Sequence, residues 1–298
     1  MKFRICFILF LISFLVIIFC SRSKKVKSID GAKCKRTCSK GDSRICHYKF
    51  VLEFYQSMGN FCGSCSHSNY STCFQKDCIL GDFRQKGVMS INRQIPGPDI
   101  QVCQGDRIVI DVINQAPGTA AALHWHGLHM REAPFMDGVP FITQCPIMFG
   151  TAFRYDFPAT EVGTFFYHSH SGLHKMNGQH GAFIIRGPKD SDTHKDLYDY
   201  DDFEHYIILS DWVHGYAEDY FPGFGTTILN GILINGISHN LTTSSGIVKT
   251  FSVERNKKHR FRLIDSVGFG CSVQVQIQDH KILIIASDGV DVLLKKLT

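Results

Sequence analysis

Thr164-Phe165-Phe166-Tyr167-His168-Ser169-His170 is the stretch on which the fold reading turns. It is short, aromatic and without helical period, and it ends in a His-x-His pair. Along a strand, residues i and i+2 share a face, so such a pair presents two imidazoles side by side. A second pair stands upstream in His124-Trp125-His126-Gly127. Outward from these, short apolar runs recur between Gly, Pro, Asn and Asp. Strands are expected at residues 107–112, 151–157, 164–168, 182–185, 206–209, 233–234, 250–253, 260–264, 273–277 and 282–286. Val273-Gln274-Val275-Gln276-Ile277 alternates cleanly, the pattern of a half-buried strand. No long helical pattern competes, and many short strands punctuated by turns predict an all-β chain built as a β-sandwich. Ile95-Pro96-Gly97-Pro98 reads as a rigid, extended lead-in, and Asn235-Gly236 as a tight turn. The polar, acidic residues 189–202 read as a linker, and a domain boundary is expected there.

The ends differ in texture. Lys2 and Arg4 precede an apolar run of 15 residues, Ile5 to Phe19, followed by Cys20 and polar residues. That is a signal-peptide layout, shorter than the roughly 20 residues a membrane-spanning helix needs. Removing residues 1–20 leaves 30 basic against 27 acidic side chains. This balance is too even to argue for nucleic acid or an anionic membrane as partner, so neither is expected, and the basic residues 24–27 read as a solvated segment. Of 12 cysteines, Cys6 and Cys20 fall in the signal, and ten remain. Seven of those ten lie in residues 24–80, which show little regular periodicity and read as a loop-rich, disulfide-stapled extension over 21–80. Cys62-x-x-Cys65 has half of a zinc spacing, with no convincing second half. Asn69-Tyr70-Ser71 and Asn240-Leu241-Thr242 are glycosylation acceptors. A secreted, extracellular glycoprotein is expected.

Imidazole suits copper, zinc, iron or nickel. Two His-x-His pairs on neighbouring strands would converge four nitrogens, from His124, His126, His168 and His170, on a small volume. Trp125, Phe165 and Phe166 would dry such a site, or simply fill the core. His129, His174, His180 and the remaining histidines, His205 and His259 among them, have no partner at ligand spacing. They are expected to be structural or solvent-exposed.

The motifs taken in order resemble laccase-type multicopper oxidases, most closely the animal, arthropod type. The resemblance is carried by Asn92-Arg93-Gln94-Ile95-Pro96-Gly97-Pro98, His124-Trp125-His126-Gly127, Asp137-Gly138-Val139-Pro140, Gln144-Cys145-Pro146-Ile147, Tyr167-His168-Ser169-His170, Leu209-Ser210-Asp211-Trp212 and Leu233-Ile234-Asn235-Gly236. It implies Greek-key cupredoxin (plastocyanin-like) domains: one complete over 81–189 and a second, incomplete one over 190–298. It implies copper as cofactor, with His124 resembling the ligand of a type 2 ion and His126, His168 and His170 ligands of a type 3 pair. Asp137, otherwise a turn residue before Gly138, matches an acidic residue near the cluster that could relay protons. Cys145 and Cys271 match a pair that joins the first two domains, and Cys103 would then pair within the N-terminal cluster.

The implied function is oxidation of diphenols or similar aromatics coupled to reduction of dioxygen to water. The alternatives are a ferroxidase-type oxidase or a secreted, non-catalytic copper-binding protein. The family's His-Pro-x-His-x-His and His-Cys-His motifs do not occur among the 298 residues. The expectation is therefore the N-terminal portion of an oxidase, ending at Thr298 with half of the trinuclear ligands, no type 1 site and little or no activity alone.

Overall fold

The computed structural model describes residues 28–66, 72–220, 229–238, 249–268 and 272–293. The signal segment, the basic residues 24–27, both glycosylation acceptors and Cys271 lie outside the described residues. In chain order the strands are β1 (Ser28–Asp30), β2 (Ile45–Ser57), β3 (Lys86–Ile91), β4 (Ile100–Cys103), β5 (Arg107–Asn114), β6 (Ala120–Ala121), β7 (Leu123–His126) and β8 (Ile147–Met148). They continue as β9 (Ala152–Pro158), β10 (Gly163–Ser169), β11 (His180–Arg186), β12 (Tyr206–Trp212), β13 (Gly231–Ile234), β14 (Arg262–Asp265), β15 (Ala286–Ser287) and β16 (Val290–Asp291). Among the described residues only short 3-10 turns interrupt them.

Two sheets make the sandwich. One runs β1-β2-β5-β9 with β3 added on β2, the other β4-β11-β10-β7. Parallel pairs (β2 with β5, β4 with β11) sit beside antiparallel ones in both. The core lies between them. Phe50, Leu52 and Ile110 from the first sheet meet Trp125, Tyr167 and Phe183 from the second in one buried cluster. The polar tips of Trp125, Tyr155 and Tyr167 are satisfied, as burial demands. The Trp125 indole N–H donates to the Met136 carbonyl at 2.8 Å, and the Tyr167 hydroxyl to the Pro98 carbonyl at 2.8 Å. The Leu123 N–H donates to the Tyr155 hydroxyl oxygen at 3.0 Å.

The structure corrects the reading of residues 24–80 in one respect. Ile45–Ser57, 13 residues, is the longest strand, and it pairs with β5 over eight registered residues from Ile45↔Arg107 to Leu52↔Asn114. Cys46, Tyr48, Phe50 and Leu52 alternate inward, while His47, Val51 and Glu53 stay half-buried and Lys49 is exposed. The alternation was present, but the density of cysteines drew the reading toward loops. The staples are real: Cys34–Cys46, Cys38–Cys103, Cys62–Cys78 and Cys65–Cys73 are disulfides. Cys62 and Cys65 are thus each oxidised, which rules out the half zinc site. Cys103 pairs with the N-terminal cluster as expected.

Beyond the linker, β13-β12-β14 form a smaller sheet. It packs on the sandwich through Trp212 with Val88 and Ile95, and through Ile208 and Ile264 with Phe166 and Ala182. The expected strands at 250–253 and 273–277 are not formed, and of 282–286 only Ala286 is in a strand, the start of β15. Val275, Ile277, Leu283 and Ile284 stay exposed. Alternation makes a strand only where a neighbouring strand completes the ladder and a face is covered. No such neighbour stands beside these segments among the described residues. No described helix is long and apolar enough to cross a membrane.

Candidate metal centre

β7 and β10 are antiparallel neighbours, with His124 directly opposite His168 and Trp125 opposite Tyr167. The pleat decides the rest: Trp125 and Tyr167 enter the core, and the flanking histidines face the other way. His170 follows β10, its backbone N–H bonded to the Ala122 carbonyl at 2.9 Å. The His124 ring centroid lies 5.7 Å from that of His126, 5.5 Å from His168 and 5.6 Å from His170. His170 lies 6.1 Å from His168. Nitrogens of His124, His126 and His168 all fall within 4.8 Å of one another. The four sequence-predicted histidines are therefore brought together, three closely and His170 beside them.

Hydrogen bonds set the ring tautomers. A carbonyl can only accept, so the ring nitrogen facing one carries the proton. His124 Nδ1 donates to the Asp137 carbonyl at 2.7 Å, and His168 Nδ1 to the Ser169 carbonyl at 2.9 Å. Each ring is left with its Nε2 lone pair. His168 Nε2 faces His126 Nδ1 at 3.2 Å. Metal–imidazole bonds of about 2.0–2.1 Å place two nitrogens on one ion about 3–3.5 Å apart, so this pair is already at ligand spacing. Burial pushes the His168 ring down to about 3, with the neighbouring His124 and Lys175 charges adding to it. His126 is lowered by burial and by the same two neighbours. Both rings therefore stay neutral, the form that ligates. Phe166 stacks on His126 at 4.5 Å and on His168 at 5.2 Å, holding both planes. His126 opens into a groove of about 680 Å³ that Phe165, Arg262 and Asp288 help to line.

Asp137 reaches the site because of the residue after it. Gly138 has φ +82°, and a Cβ there would run into the Leu123 carbonyl. Only glycine lets this turn lie against β7. The Asp137 carboxylate then stands 3.3 Å from His124 Nδ1. Cys145 is exposed and forms no disulfide among the described residues.

The other histidines divide. His129 pairs with Glu161 at 2.8 Å, His47 with Asp111 at 2.7 Å and His214 with Asp82 at 2.7 Å. His180 is opposite His168 across β11, but it is fully buried, with Nδ1 on the Lys175 carbonyl at 3.2 Å. These have structural partners, as expected. The His205 and His259 side chains are both buried and come together with a carboxylate. With Asp202 they form a second three-ligand group. Fifty-four residues separate the two rings, and spacing along the chain gave no signal of their meeting.

A β-sandwich whose neighbouring strands aim neutral imidazoles at one point defines a metal-binding protein of the cupredoxin type. Two family models, both described as multicopper oxidase, match residues 74–190 and 203–296, most of the chain between them. Laccase-1 of Fomitopsis schrenkii is 37% identical over 215 residues, covering 70% of this chain and 39% of that protein. The iron transport multicopper oxidase FET3 of Saccharomyces cerevisiae is 34% identical over 208 residues, covering 70% and 31%. The crystal structure of the laccase from Botrytis aclada superposes with a TM-score of 0.56 at 28% identity, covering 74% of this chain and 37% of that one. The chain belongs to the multicopper oxidase family of copper-dependent oxidoreductases, is laccase-like, and has that family's cupredoxin fold. It spans under two fifths of the length of these curated relatives.

Proposed function

We propose that His124, His126, His168 and His170 are copper ligands of a laccase-like oxidase, with His124 serving a type 2 ion and the other three a type 3 pair. The observation that carries this is the cross-strand cluster with its tautomers set: His168 Nε2 and His126 Nδ1 face each other at 3.2 Å. An all-imidazole donor set suits copper. Bound copper would supply one-electron chemistry and the reduction of dioxygen to water. The residues of this chain orient the rings: Ser169 and Asp137 fix ring tautomers, and Phe166 stacks on two of the rings and holds their planes. The Asp137 carboxylate, on the same His124 nitrogen as its own carbonyl, is placed to hold and pass a proton.

The substrate class we assign is diphenols or similar aromatics, by likeness to the laccases. The likeness to FET3 favours ferrous iron as the second reading. We divide the chain into an N-terminal stapled stretch over 21–80, a cupredoxin domain over 81–189 and a second cupredoxin region over 190–298, with Cys145 bridged to Cys271. Four disulfides support an oxidising, extracellular location. No His-Cys-His motif occurs among these 298 residues, and we infer that they do not turn over phenols by themselves. Oxygen uptake by the copper-loaded chain tests this. None above the metal-free control is expected with a diphenol or with ferrous iron. Blue colour with steady diphenol turnover would contradict the assignment of half a cluster, and turnover of ferrous iron alone would favour the second reading.

A further inference from the structure

The Asp202, His205 and His259 group lies apart from the copper-ligand histidines and shares no residue with them. His205 Nδ1 is 3.3 Å from Asp202 Oδ2, and His259 Nδ1 is 3.9 Å from the same oxygen. The two rings stand 5.2 Å apart and nearly perpendicular. Both histidine side chains are more than nine-tenths buried, at 3% and 8% exposure. Yet neither Nδ1 completes a hydrogen bond, and an unpartnered buried polar atom is costly. The outer nitrogens are spoken for. His205 Nε2 donates to the Ser252 carbonyl at 2.9 Å, which in the neutral ring leaves Nδ1 as a bare lone pair beside a carboxylate oxygen. Two acceptors facing each other at that distance repel unless something positive lies between them.

We propose that Asp202, His205 and His259 form a second divalent metal site, of the zinc class, with an open fourth position for water. Ligands about 2.1 Å from a tetrahedral ion lie about 3.4 Å from one another, and the two carboxylate-to-imidazole separations bracket that value. Two imidazoles and one carboxylate suit zinc better than calcium or magnesium. Ligation through His259 Nδ1 moves its ring proton to Nε2, where the Glu254 carbonyl, 3.3 Å away, accepts it. The Glu254 N–H, now 3.0 Å from that nitrogen, loses its acceptor in exchange. Phe261 stacks on His205 at 4.6 Å and Tyr200 on His259 at 5.0 Å, fixing both rings. Asp202 ends the linker, His205 precedes β12 and His259 precedes β14. The ion would clamp the linker to two strands of the smaller sheet.

The test uses the full chain with His124, His126, His168 and His170 replaced by Gln, stripped with chelator and titrated calorimetrically with zinc alone. One saturable equivalent is expected, at least tenfold weaker in D202N and in H259Q, with a zinc-dependent rise in Tm of several degrees that D202N abolishes. Asp202 is half exposed, so D202N leaves the core intact, and circular dichroism checks the fold. If the fourfold variant does not fold, the wild-type chain must bind one equivalent more than D202N. No saturable equivalent, or one that D202N leaves unchanged, overturns the proposal.

Discussion

One proton on His124 decides what the ring can do. With Nδ1 held by the Asp137 carbonyl, Nε2 is the only free lone pair, so losing the ring and losing its orientation are different lesions. His168→Gln removes a proposed ligand nitrogen outright, and copper retained after gel filtration is expected to fall at least tenfold. The lowered His168 pKa also carries a stability effect. The unfolded ring takes up a proton near pH 6.5 and the folded one only near 3, so this ring's contribution is intact above 6.5 and is lost as pH falls between those values. Metal-free wild type is expected to lose stability across that window more steeply than His168→Gln, as read by urea titrations at several pH values. Equal slopes would show that the ring is not buried neutral. The four copper-ligand candidates were legible because each His-x-His pair spans three residues, on β7 in one case and at the end of β10 in the other. His205 and His259 were not, because only the return of the chain through β14 brings them together.

At the scale of single elements, β7 and β10 need their neighbours more than their own propensity. The turn at Gly138 lies against β7 because no Cβ intervenes, with φ +82° as well. Gly138→Ala is expected to cost about 1–3 kcal/mol from the dihedral alone, plus the backbone clash, and to displace Asp137 from His124. Denaturant melts and copper affinity would fall together, and a neutral result would contradict the close packing described. The alternation in β2 was in the sequence but was masked by the cysteines around it. Conversely, 273–277 carried a clean alternation and formed no strand, because period two reports a face that could be buried and not the sheet that buries it. The Cys38–Cys103 bridge, with a separation of 65, pins the N-terminal stretch to β4. Replacing both cysteines by Ser is expected to destabilise by about 4 kcal/mol on the chain-entropy argument, read as a lower Tm that added reductant does not lower further through this bond.

In the whole molecule, the sandwich and the smaller sheet are locked by charge as well as by apolar packing. Asp201 in the linker takes Arg262 Nε at 3.1 Å and stands 3.4 Å from Arg186 Nε, while Arg262 also reaches Thr164 on β10 at 2.9 Å. Burial works against the Asp201 charge, but the attraction of Arg262 and Arg186 outweighs it and holds its pKa below the usual value. Its contribution is therefore full above about pH 4 and is lost as pH falls through the folded value. Asp201→Asn would leave two buried guanidiniums uncompensated and is expected to cost about 3–5 kcal/mol near neutral pH, with the gap to wild type closing in acid. The all-β class was legible from turn spacing, and the family from its motifs in order. The locking of linker to sheet was not, since Asp201 reads along the chain as one acid among many. The central claim is that two neighbouring strands of one sheet, β7 and β10, build one copper-binding cluster. Its most direct test is copper content and electron paramagnetic resonance of the gel-filtered chain, wild type against His124→Gln/His168→Gln. The account predicts copper with imidazole-nitrogen couplings in the wild type and its loss in the double variant. Equal copper and an unchanged spectrum in the double variant would contradict it.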